Sequence, residues 1–266
     1  MKSALPVGFY EFADSLAEPN RFNNLKRVVM KSLKVLALGL MMTTGVVNAA
    51  VTSTLTAATD YNLRGISQNA KGPVLQASLE VSGESGLYLG AFLSSVSFDG
   101  QKLGTEYFRL ERDVYAGYRL KASDAVSLDF GGKFYTYNSN ALNHGEVYAA
   151  LTYKSFVKGS AYYSPNFING NSAISKPAYG VALDASKDLP ANFSLLAHAG
   201  YNTGEYWTDS AFKGAYIDYS VGAGYKMGNF NWALQYVDTA KGTKVAADEM
   251  NSSSRMVLSV TTKLPW

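Results

Sequence analysis

Apolar and polar residues alternate with a period of two along most of this chain, in short runs closed by Gly, Asn, Pro or charged turns. The last run is the clearest. Met256, Leu258, Val260, Thr262, Leu264 and Trp266 fall in one phase, and Arg255, Val257, Ser259, Thr261 and Lys263 in the other. Side chains alternate across a strand, so such a run has one greasy face and one polar face. The same reading predicts strands over Val51–Arg64, Val74–Ser82, Leu87–Phe98, Glu106–Leu120, Val126–Phe134 and Glu146–Tyr153. It continues with Val157–Ser164, Tyr179–Lys187, Phe193–Tyr201, Tyr216–Lys226 and Phe230–Asp238, which makes the terminal run the twelfth. The connections alternate too: short near residues 84, 123, 155, 190 and 228, longer near 70, 101, 140, 171, 208 and 246. An even number of strands with short turns at one end and longer loops at the other is the pattern of an outer-membrane barrel. The predicted fold class is therefore all-β: a transmembrane, antiparallel, up-and-down β-barrel of about 12 strands. Closure removes the sheet edges that lipid would not tolerate.

Composition agrees with that pattern. The hydrophobic fraction is 47%, yet only 17% of residues are charged, and there are 19 Tyr, 24 Gly and no Cys. With no cysteine there is neither a disulfide framework nor a thiol-ligated metal. Residues 30–49 read as a signal peptide: Lys31 and Lys34 precede the apolar Val35–Met42, and Val47-Asn48-Ala49 offers a cleavage site. Residues 1–29 show no signal character and read as a start placed too far upstream or a leader extension, which leaves 50–266 as the barrel domain. The first 49 residues hold six Lys or Arg and three acids, out of 24 and 21 in the whole chain. The remainder carries 18 of each and is neutral. The apparent basicity belongs to the leader, and no case for nucleic acid remains.

An aromatic residue that closes an amphipathic final strand resembles the terminal signal of bacterial outer-membrane barrels, with Leu258, Val260, Leu264 and Trp266 carrying it here. This implies export through a cleaved signal peptide to the outer membrane of a Gram-negative bacterium, with periplasmic chaperones, the barrel-insertion machinery and lipid as partners. Thr59-Asp60-Tyr61-Asn62-Leu63-Arg64-Gly65-Ile66-Ser67-Gln68 resembles the "SDYxFRGxSQ" opening of the TorF family of porin-like proteins. Further matches follow in order at Glu84–Gly90, Asp113–Tyr118, Tyr163–Phe167, His198–Tyr201 and Asp218–Ser220. Where the family usually has Asp after Tyr-Ser-Pro, this chain has Asn166. The resemblance implies a porin-like barrel without naming a solute.

In a barrel of this size the lumen is narrow, and the polar phase lines it. The pore-lining candidates are Asp60, Arg64, Glu80, Arg109, Glu111, Asp113, Arg119, Asp129 and Lys133, then Glu146, Lys158, Asp184, His198, Asp218, Lys226, Arg255 and Lys263. Acids and bases are nearly equal in number, which points to internal ion pairs and weak charge selectivity. Asp60 needs a partner on a neighbouring strand, with Arg255 or Lys263 the candidates. The expected function is passive diffusion of small hydrophilic solutes or ions, with no cofactor and no metal. A plugged structural or adhesin-type barrel is the alternative, and an outer-membrane hydrolase a more distant one. The chain has two histidines, His144 in a loop and His198 in the lumen phase, and neither stands beside a G-x-S-x-G nucleophile motif. Tyr135, Tyr137, Phe167, Tyr206, Trp207, Phe230 and Trp232, near strand ends, are expected to form interfacial girdles.

Overall fold

A computed structural model of the chain describes residues 49–97, 109–138, 142–167, 176–209, 213–241 and 251–264. The stretches read as leader and signal peptide lie outside the described residues but for Ala49, as do Trp266 and the side chain of Arg109.

Twelve antiparallel strands close into one barrel. They are β1 (Ala50–Ala58), β4 (Val74–Ser82), β5 (Leu87–Val96), β6 (Arg109–Lys121), β7 (Val126–Thr136), β8 (His144–Tyr153), β9 (Val157–Phe167), β10 (Lys176–Asp188), β11 (Phe193–Thr203), β12 (Tyr216–Met227), β13 (Phe230–Lys241) and β14 (Arg255–Lys263). Two further strands, β2 (Asn62–Leu63) and β3 (Ile66–Ser67), pair only with each other. The ring closes where β14 meets β1, with Leu55 opposite Thr262 and Ala57 opposite Val260. The wall strands run to 9–13 residues, and a tilted strand needs about 9–11 to cross a bilayer.

The alternation decides which side chains face out. Val147, Val181, Leu183, Leu195, Val221 and Leu234 are all roughly half exposed on the outer surface. Tyr153, Phe156, Phe193, Tyr225 and Phe230 lie outside toward the short-turn end, and Tyr163, Tyr179 and Tyr201 toward the loop end. An aliphatic band between two aromatic belts is the surface a bilayer selects. The short turns use left-handed backbone: Gly86 and Gly228 have positive φ, and Lys154-Ser155 adopts it without glycine (φ 50° and 55°).

The first strand departs from expectation. It ends at Ala58 instead of running to Arg64, because Arg64 (φ 52°) and Gly65 (φ 79°) both take left-handed backbone. Two consecutive positive φ angles make the tight turn of a two-residue hairpin. Asp60 and Arg64 are thus not on one wall strand. Asp60 lies just before the β2–β3 hairpin inside the barrel, and Arg64 lies at its turn.

The girdle expectation is corrected as well. Phe230 and Trp232 are exposed outside, but Tyr135, Tyr137, Phe167 and Trp207 are buried. Tyr135 and Tyr137 share the inward phase of Asp129 and Lys133. Phe167 is turned inward by a bulge: Ser164 pairs with Ala178 but Phe167 with Lys176, so β9 carries one extra residue there. Trp207 lies on the short helix α1 (Glu205–Asp209), and with Phe167, Ala178 and Tyr216 it packs against Ile66 of the hairpin. Tyr206 packs beside this cluster.

Candidate functional site

The lumen wall is built from paired tyrosines and glycines. Tyr115 stands directly opposite Gly90, Tyr88 opposite Gly117, Tyr148 opposite Gly131, and Tyr162 opposite Gly180. At each of these glycines an added β-carbon would fall within 2.7 Å of the facing ring. The rings therefore lie against the wall over positions without side chains, and the bore keeps its width.

Cations stack on the other faces of two of these rings. Arg119 lies 4.5 Å above Tyr88 and Arg64 3.3 Å above Tyr162, as guanidinium–aromatic attraction favours. Arg119 bonds Glu80 at 3.1 Å and Asp129 at 3.3 Å. Tyr88 donates to Asp129 and shares a hydrogen bond with Tyr148.

On the opposite wall, His198 sits between two carboxylates. Its Nδ1 is 2.7 Å from Asp184 and its Nε2 2.6 Å from Asp218. Asn202 donates to Asp218 and accepts from the Tyr162 hydroxyl, so an unbroken polar chain runs from Asp184 to the ring beneath Arg64. Asp184 faces Lys158 across the β9–β10 ladder.

Nearer the loop end the hairpin fills the bore. Arg255 donates to Asp60 through Nε, to Asn62 at 2.9 Å, and to the carbonyls of Gly65 at 3.0 Å and Ser253 at 3.2 Å. Arg64 pairs with Glu146 at 2.7 Å, and its carbonyl accepts from the Tyr216 hydroxyl. Tyr61 donates to Glu111 at 2.9 Å. Burial pushes the Tyr61 phenol well above its ordinary pKa, with the nearby Glu111 and Asp113 adding to the effect. Glu111 and Asp113 are fully buried side by side on one face of β6, and the Lys133 ammonium is 3.6 Å from Asp113.

The candidates thus divide. Glu80, Arg119 and Asp129 form one group and Lys158, Asp184, His198 and Asp218 another; both line a cavity of about 640 Å³, along with Arg64, Lys133 and Glu146. Asp60 and Arg255 are enclosed between hairpin and wall. Lys226 and Lys263 are exposed at the short-turn rim. His144, expected in a loop, is the first residue of β8. It is buried, stacked on Tyr135 at 4.4 Å, with the tilted ring of Phe167 at 4.7 Å on centroids. Sequence reasoning left out the lumen tyrosines 88, 115, 148 and 162. For Tyr115, Tyr148 and Tyr162 the signal was their phase, since they alternate with Asp113, Glu146 and Lys158, already assigned inward; Tyr88 had no such neighbour on its strand.

A family model described as "Bacterial protein of unknown function (Gcw_chp)" matches residues 43–263. No curated protein matches the chain. Among solved structures, the chain is similar to the KdgM porin at 11% identity, over 82% of this chain and 99% of that one, with a TM-score of 0.49. It is similar to the NanC porin at 8% identity, over 80% and 100%, with a TM-score of 0.48. A third likeness is to LpxR from Salmonella typhimurium, at 8% identity, over 81% and 100%, with a TM-score of 0.42.

Proposed function

The chain belongs to the Gcw_chp family, and we propose that it is a porin-like channel of the bacterial outer membrane, passing small hydrophilic solutes by passive diffusion. The observation that carries this reading is a cavity of about 640 Å³ bordered by charged and tyrosine side chains inside a closed barrel with an apolar outer band. Lipid outside and water inside account for both faces at once. The resemblance of residues 59–68 to the TorF family supports the same reading. In the cavity Arg64, Arg119, Lys133 and Lys158 stand against Glu80, Asp129, Glu146, Asp184 and Asp218. Most of these are paired within the wall, so charge selectivity is weak. Neither histidine favours hydrolysis, because His144 is held in an aromatic stack and His198 by two carboxylates.

Export rests on the signal peptide at 30–49, and insertion on the terminal strand with its chaperone and assembly partners. The test is single-channel recording of the purified protein in a planar bilayer under a salt gradient. Discrete conductance steps with a small reversal potential are expected; a correctly folded barrel without steps overturns the reading. One observation favours the second reading, a plugged barrel: the hairpin of β2 and β3 lies within the lumen.

A further inference from the structure

The strand ring places β9 six positions from β1 in either direction, so the two are diametrically opposite. The hairpin leaves the wall at the end of β1, yet the guanidinium at its tip rests on Tyr162 of β9 and pairs with Glu146 of the adjacent β8. Its near end is held by Arg255 of β14, the strand beside β1. Between these anchors Tyr61 bonds Glu111 on β6. On the other flank Gly65 presses against β12 and β13, so closely that a β-carbon there would lie 2.4 Å from Thr239 and 2.7 Å from Asp218. The segment and the residues just before it thus bear on β6, β8, β9, β12, β13 and β14.

We propose that the Asn62–Ser67 hairpin is a built-in crossbar that sets the width of the lumen, with Arg64 as the residue that bears on passing solutes. The inference rests on the channel reading, since a crossbar matters only where there is a lumen to narrow. Three features support a fixed bar over a loose loop. The pairing of Arg64 with Glu146 is charge-assisted, between side chains only 17% and 6% exposed, and such bonds are strong. Arg255 spends Nη1 and Nη2 on the hairpin and Nε on Asp60 just before it, the rigid fork that a lysine cannot imitate. Ile66 packs with Phe167, Trp207 and Tyr216, so displacing the hairpin exposes apolar surface. Arg64 Nη1 and the Leu63 side chain both belong to the segment that borders the cavity. The Arg64 side chain keeps 17% of its surface exposed, and that surface is where a passing solute meets it.

The hairpin can be excised without straining the wall, because its ends are already joined: the Gln68 amide donates to the Tyr61 carbonyl at 2.8 Å. The first experiment therefore replaces residues 62–67 with Gly-Gly in the full chain and compares single-channel conductance with the wild type. Conductance is expected to rise on the order of twofold or more, as a wider bore requires. Equal conductance in both proteins overturns the crossbar and leaves the channel reading intact. A silent wild type with a conducting excision variant sinks the channel reading for the native protein and supports the crossbar. Two silent, folded barrels overturn the crossbar as the occluding element. A second variant does not disturb the hairpin's anchors. The chain has no cysteine, so Leu63→Cys can be labelled alone with a charged, membrane-impermeant methanethiosulfonate. Labelling should lower conductance stepwise; complete labelling, verified by mass, with unchanged conductance overturns the proposal.

Discussion

Tyr115 stands directly across the β5–β6 ladder from Gly90, and its ring fills the space where a β-carbon of residue 90 would stand. The three nearest atoms to that position all belong to the Tyr115 ring and hydroxyl, at 2.3–2.6 Å. Gly90→Ala must push the ring into the lumen. A loss of about 1–3 kcal/mol is expected, the usual cost of overpacking. Tyr115→Ala in the same chain should recover much of it, because only this side chain is in the way. Urea unfolding in lipid vesicles for the two single variants and the double variant checks the coupling; additive effects would show that the ring and glycine do not share the site.

Arg255 is the anchor of the hairpin. Replacing it with Ala leaves Asp60 enclosed without its counter-charge, an expected cost of about 3–5 kcal/mol. Arg255→Lys should recover only part of this, since one ammonium cannot reach Asp60, Asn62 and the Gly65 carbonyl together. The unfolding midpoint gives the stability, and proteolysis after Arg64 gives the mobility of the tip. Full recovery by Lys would show that only the charge matters.

Val221 is 59% exposed near the middle of β12. In lipid an arginine at mid-depth costs about 2–4 kcal/mol. Val221→Arg should therefore impair insertion into vesicles, whereas on a water-facing surface the same change would be harmless. The fraction of protein showing heat-modifiable migration after refolding separates the two.

His198 has a carboxylate oxygen on each ring nitrogen. Two acceptors call for two N–H donors, and only the imidazolium has both. The ¹⁵N spectrum of the folded protein at neutral pH should show both nitrogens protonated. His198→Ala, which leaves buried Asp218 with only its Asn202 donor, should destabilise the barrel more than Lys226→Ala at the exposed rim.

The wall of this barrel was legible in the sequence because two solvents impose a period of two. Val221 and Ser220 differ by one position and by the medium they face, so composition at alternate positions carries the phase. For the same reason the inward charges could be named from Glu80 to Asp218. The hairpin was hidden by that very rule. Asp60, Tyr61, Asn62, Leu63 and Arg64 alternate as a wall strand does, and only the Arg64-Gly65 pair hinted at a left-handed turn. Phe167 was misread because one inserted residue in β9 reverses the phase beyond it.

Local alternation along the chain was enough to determine that the wall is made of strands, which face most wall positions take, and that an apolar exterior surrounds a charged interior. It narrowed the partner of Asp60 to Arg255 or Lys263, of which Arg255 is the one bound, but it could not determine which other lumen side chains meet. Asp60 and Arg255 are 195 residues apart, and Arg64 and Glu146 are 82 apart. These partners are joined only when the ring closes and lays the hairpin across it. Pairing across a bore depends on strand number, register and the path of one turn, quantities that belong to the whole barrel and to no single stretch of sequence.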